Sequence, residues 1–203
     1  MKPKKVPGVP EHYKGAHFDT ESDRVLDDPI LAAQQFQFLK ERFFNINNWQ
    51  EYCGKMSAEF KLCDKHGFYV DRMPRVGDFL RIDIPGPGNP QTKGYDWVEI
   101  VAMDDYCFGD ELERHLISCR PSKPPGSKGE NIAHFYSPES SSTFIISRGP
   151  NYIKVGIYGR NEIANFSRTG IIGKIRNAFI TIGGFLRVTK FQWKGLAEGF
   201  LDF

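Results

Sequence analysis

Several kinds of chemistry are missing from this sequence. It has four cysteines, at positions 53, 63, 107 and 119, and no pair has CxxC spacing. Cys63 and His66 have ligand-like spacing, but no second pair completes a tetrahedral site. The thiols are therefore expected to be reduced, some of them in the core, and no metal and no cofactor is expected. No serine or cysteine lies in a GxSxG context. Gly86-Pro87-Gly88 has no following Lys-Ser/Thr and opens no helix, so it is not a phosphate-binding loop. The acidic residues Asp104, Asp105, Asp110 and Glu111 lack the dense oxygen pattern of a calcium loop and read as a solvated hairpin end.

Charge of one sign is also missing. With 27 Lys/Arg against 25 Asp/Glu the net charge is +2, which excludes the basic footprint of a dedicated nucleic-acid binder. The longest mostly apolar run, 179–186, is too short to span a bilayer. The amino-terminal residues hold no secretory apolar run, so a cytoplasmic chain is expected. No repeat of solenoid or propeller length appears.

Aromatic side chains, by contrast, are abundant. The 203 residues include 17 Phe, 8 Tyr and 3 Trp, which excludes disorder for most of the chain. That length suits one domain able to bury its own core. Pro3, Pro7, Gly8 and Pro10 break any helix near the start, so residues 1–24 read as an extended or mobile arm and 25–203 as a single domain.

The order of elements follows from period and punctuation. Asp28-Pro29 is a helix start, with Asp as N-cap and Pro at the first helical position. Ala32, Phe36, Leu39, Phe43 and Ile46 then recur at helical spacing. Asn45, Asn47 and Asn48 end or kink this helix, and 49–53 gives a short second turn. From residue 58 the period changes to two. Strands are expected near 58–62, 79–84, 97–103, 112–119, 132–136, 143–148 and 152–158, with 68–70 as a candidate return strand. Loops at 85–90 and 121–131 separate some of them. After residue 170 a spacing of three and four returns through Trp193, Leu196 and Phe200, predicting a long C-terminal helix. A hairpin over Phe179–Val188, turning at Gly183-Gly184, is the competing reading. The class is α+β: an antiparallel meander of six to seven strands, an N-terminal helix, and a long C-terminal helix covering the sheet.

Asn47-Asn48-Trp49 at the end of the first helix, Val76-Gly77-Asp78-Phe79 entering a strand, and Ser140-Ser141-Ser142-Thr143-Phe144 at a late strand complete the pattern. In this order of elements residues 28–203 resemble the START-like (SRPBCC) superfamily, the helix-grip fold of polyketide cyclases and lipid-transfer domains. That superfamily usually places a strand before the first helix, and only Gly15-Ala16-His17-Phe18 is a candidate for it here. The resemblance implies a cavity between sheet and long helix for an apolar or amphipathic small molecule.

Such a cavity would be lined by Trp97, Tyr136, Phe144, Tyr158 and Trp193, with His134, Arg160 and Glu162 in polar roles. Arg160 and Glu162, two apart on an extended chain, are expected to point the same way. Three readings stay open: a binding module, an enzyme using the same cavity, and a solid interaction or structural domain acting as monomer or homodimer. The basic residues Lys174, Arg176, Arg187, Lys190 and Lys194 read as the outer face of a covering helix rather than a membrane-binding surface. The aromatics Phe200 and Phe203 either pack back on the domain or dock in a partner.

Overall fold

The computed structural model describes residues 2–53, 58–83, 95–127, 136–163 and 193–203. Seven strands form one antiparallel sheet: β1 Ala16–Val25, β2 Glu59–Cys63, β3 Phe79–Asp83, β4 Asp96–Asp104, β5 Glu113–Pro121, β6 Ser141–Arg148 and β7 Tyr152–Glu162. Their order across the sheet is β1-β7-β6-β5-β4-β3-β2. Strands β2 to β7 thus form a meander of adjacent neighbours, and β1 pairs with the last of them. The chain must cross from the β1 edge to the β2 edge, and helix α1 (Pro29–Phe44) makes most of that crossing. A 3-10 turn (Ile46–Asn48) and helix α2 (Trp49–Cys53) complete it. Helix α3 occupies 193–200. The architecture is the α+β arrangement read from the sequence, with a C-terminal helix, and it is consistent with a helix grip.

Local chemistry explains the first helix. Asp28 is extended and its side chain accepts from the Ile30 N–H at 2.8 Å, while Pro29 needs no donor partner at the first position. Ala32, Phe36, Leu39 and Phe43 are the buried stripe. Asn47 ties the crossing to the edge of the sheet. Its side chain donates to Val70 O at 3.0 Å and accepts from the Leu62 N–H at 2.8 Å.

The core lies on the helix-facing side. Trp49 is fully buried, its ring centroid 4.9 Å from Phe144, 5.5 Å from Phe60, 5.7 Å from Phe200 and 6.3 Å from Phe43. Its indole N–H donates to Phe43 O at 3.0 Å, so the one polar group of the ring is satisfied in the core. Helix α3 comes so close to α2 that a Cβ on Gly199 would lie 1.9 Å from Tyr52 O. Arg42 then donates to Gly199 O and Asp202 O, at 2.7 and 2.8 Å, satisfying carbonyls at the end of α3. Phe200 therefore packs back on the domain, and Phe203 lies half-exposed beneath Arg24 and Arg42.

Two expectations change. Part of the segment read as an arm is β1, paired over its length with β7. Its alternating residues Asp19, Glu21 and Asp23 hid the strand by being charged. Residues 68–70 are not a return strand: Tyr69 makes one isolated bridge to Cys63. Asp64 accepts from the His66 and Phe68 N–H groups and turns the chain back on β2, where Asp64 N–H to Phe68 O and Val70 N–H to Leu62 O flank that one bridge; the next strand to pair is β3, from Phe79. The expected strand at 132–136 lies, save for its last residue, outside the described residues, as does the helix-or-hairpin alternative over Phe179–Val188.

Truncation of the central ring tests this packing. Trp49→Ala is expected to cost about 3–5 kcal/mol in urea unfolding, while Phe68→Ala, at an exposed site, changes stability by less than about 0.5 kcal/mol.

Candidate functional site

The end of β7 decides which side chains meet. Ala16 pairs with Glu162 and Phe18 with Gly159, so two steps along β1 face three along β7. The additional residue is accommodated at Asn161, whose φ of 56° lies in the left-handed region that Asn tolerates better than most residues. Side-chain alternation is thereby broken. Glu162 turns to the same face as Gly159 and Phe18, and a Cβ on Gly159 would lie 2.7 Å from Glu162 Oε1 and 2.1 Å from the Phe18 ring. Arg160 points to the other face. The expectation that Arg160 and Glu162 act side by side is thus corrected.

The helix-facing side gathers an aromatic wall with a polar end. Trp193 stacks on Phe18 at 6.2 Å and meets Phe144 edge-on at 5.5 Å. Glu162 is buried beside this wall. It accepts a hydrogen bond from the Tyr136 hydroxyl, and burial first, then the Glu162 charge, pushes the phenol well above its ordinary range. Asp96 begins β4 on the same face as Val98 and Ile100, and burial raises its carboxyl to about 7.

Other expected members are elsewhere. Trp97 is buried on the outer face with Cys63, against Phe79 and Tyr95. Tyr158 is on the outer face with Leu116 and Ile145, and its hydroxyl donates to Glu21 at 2.7 Å. Strict alternation from the core residues Val98 and Ile157 puts both there. Arg160, 1 % exposed, pairs with Asp19 at 2.6 Å and donates to Phe18 O, Gly159 O and Lys4 O. His134 lies outside the described residues. His115 is held between the rings of Phe36 and Phe44, and burial lowers its pKa, which fits a structural imidazole.

Sequence reasoning missed Asn161 altogether. Its side chain donates to Glu11 O at 3.0 Å and accepts from the Tyr13 N–H at 2.9 Å. An Asn interrupting an otherwise strand-like Arg-Asn-Glu run was the available signal. Among the described residues no cluster of three or more His, Cys, Asp or Glu could hold a metal, and no helix is long and apolar enough to cross a membrane.

No family model matches this chain, and no curated protein does. Solved structures do resemble it. A hypothetical protein, jhp0584 from Helicobacter pylori, overlays with a TM-score of 0.51 at 11% identity, covering 98% of both chains. That likeness is one of fold alone. XoxI from Bacillus cereus gives 0.39 at 15% identity over 93% of this chain and 97% of its own. Ara h 8.0201 gives 0.33 at 11% identity over 93% of this chain and all of its own.

Two measurements test the polar groups. Asp96 has a folded pKa above its ordinary 3.8, so its stabilising contribution is present in acid and lost as pH rises through about 7. Asp96→Asn is therefore expected to exceed wild type by roughly 2–4 kcal/mol near pH 8, and to match it near pH 4, in chemical unfolding. Arg160→Ala leaves the half-buried Asp19 without its cation, with the Lys4 N–H on its other oxygen, and a loss of about 3–5 kcal/mol is expected.

Proposed function

We propose that this chain is a binding module for an apolar or amphipathic small molecule, held on the helix-facing side of the sheet. The observation that carries the reading is the placement of Glu162 and Tyr136. A buried carboxylate hydrogen-bonded to a phenol stands at the end of a wall formed by Phe18, Phe144 and Trp193. Aromatic walls with few polar groups are the usual lining of small-molecule sites. In this reading the rings take the apolar body of the ligand, and the carboxylate takes a hydroxyl or amino group that can donate to it. The α+β arrangement, consistent with a helix grip, supports the same reading through the resemblance in element order. Trp97, Tyr158 and Arg160 have no part in it, because they face the other way. No reaction is assigned: Arg160 is engaged with Asp19, and His115 is enclosed by rings.

Native mass spectrometry of freshly purified protein is expected to show a non-covalent adduct that is lost on denaturation. The chain stripped of it is expected to bind N-phenyl-1-naphthylamine, with Phe144→Ala and Glu162→Gln each weakening binding about tenfold, or about 1.4 kcal/mol. A mass equal to the bare chain, with no response to the probe, would falsify the reading.

A further inference from the structure

The outer face of the sheet carries its own occupant. Residues 4–14 run across it, make a turn, and come back to the end of β7. The turn is Val6-Pro7-Gly8-Val9, closed by Val9 N–H to Val6 O at 3.1 Å. Pro precedes Gly at a φ of +78°, which is the sequence a type II turn requires. Gly8 lies flush on the sheet: a Cβ there would be 2.6 Å from Leu116 Cδ1. Val6 and Val9 pack on Leu116, Ile145 and Tyr158.

The polar contacts are made largely to the arm's main chain. Arg160 donates to Lys4 O at 2.9 Å, Arg114 to Pro7 O at 2.7 Å, and Asn161 to Glu11 O at 3.0 Å. Contacts outside the arm position both donors: Arg160 is held by Asp19, Phe18 O and Gly159 O, and Arg114 by Glu111 and Tyr106 O. Charge is complementary as well. Lys4 pairs with Glu21, and Lys14 with Glu139 at 3.3 Å. The arm does not fill its seat: depressions of about 450 and 120 Å³ flank it, one walled by Pro10, Glu11 and Tyr13, the other by Lys5, Val6 and Pro7.

We propose that this seat also accepts the arm of a second copy, so that two chains exchange residues 4–14. Every contact above is to a main-chain group or to a side chain of the arm itself. An arm from another copy brings the same groups in the same order. Pro3, Pro7 and Pro10 keep the segment extended when it is undocked, which lowers the entropy lost on docking. Gly15, at a φ of +72°, joins the arm to β1 and gives the chain a residue tolerant of a changed course. Because residues 4–14 are all seated, Gly15 alone spans from the seat of one copy to β1 of the other, so the exchange brings the two β7 ends together.

The ion pairs supply the readout. Equal amounts of unlabelled and nitrogen-15-labelled full-length chain are mixed, incubated and joined with a zero-length carbodiimide. Lys14–Glu139 and Lys4–Glu21 links are then read by mass. A tethered arm competes at an effective concentration on the order of millimolar, so mixed-isotope links are expected to rise about tenfold between about 0.05 and about 1 mM chain. Gly8→Val, whose added atoms meet Leu116, is expected to abolish same-copy and mixed links alike while circular dichroism stays unchanged. Same-copy links alone at every concentration would overturn the proposal. Mixed links that persist in the Gly8→Val chain would overturn it too, since they would come from chance collision.

Discussion

A single residue in the left-handed region, Asn161, stands where the arm, the first strand and the last strand meet. Its backbone absorbs the additional residue of β7, so that Glu162 faces the helices while Arg160 faces away. Its side chain, freed from the alternation of the sheet, grips Glu11, Tyr13 and Lys14. The two faces of the molecule are thereby assigned opposite chemistry from one turn of chain. A carboxylate goes to the aromatic side and a guanidinium to the arm side. A regular strand here would put both on one face, where they would neutralise each other and leave Asp19 without its partner.

The helix-facing side depends on Trp49. A helix packed on a sheet normally buries aliphatic residues in a layer of constant thickness. Here one large ring, carried by α2, reaches the other two helices and two strands. It contacts Phe43 from α1, Phe60 from β2, Phe144 from β6 and Phe200 from α3. Its indole N–H finds a carbonyl at the end of α1, where the last helical carbonyls have no intrahelical donor. The ring therefore caps α1 while it joins α1, its own α2 and α3 to the sheet, and the wall formed by Phe144 and Trp193 is anchored on it.

The sequence was legible where period and punctuation agreed. The first helix could be read because Asp28-Pro29 fixes its start and the buried stripe keeps a strict spacing. Strands β2 to β7 could be read because turns interrupt short alternating runs. Strand β1 could not, because Asp19, Glu21 and Asp23 make its outer positions charged, and the partners of the first two come from the arm and from β7. Asp19 meets Arg160, and Glu21 meets Lys4 and Tyr158. The candidate site was half legible for the same reason. Phe144 and Trp193 follow from simple alternation and helical spacing, as does the exclusion of Tyr158 once the core face of β7 is known. The parity of Glu162 depends on one bulge, and no count of residues along the strand reveals it.

Burying Arg114 and Arg160 on a sheet face is costly unless every donor is used. In this fold the arm supplies acceptors beyond the two strand carbonyls, Phe18 O and Gly159 O, that Arg160 already uses. Lys4 O and Pro7 O complete the two guanidinium groups, and Asp19 and Glu111 balance their charge. A hydrophobic outer face would have been cheaper to bury, but it would accept any apolar segment. A face whose donors demand main-chain carbonyls at two fixed places, with a glycine turn between them, selects the arm it has and little else. That selectivity is a property of the seat and the arm's sequence together. It holds equally whether the arm arrives from its own chain or from a copy.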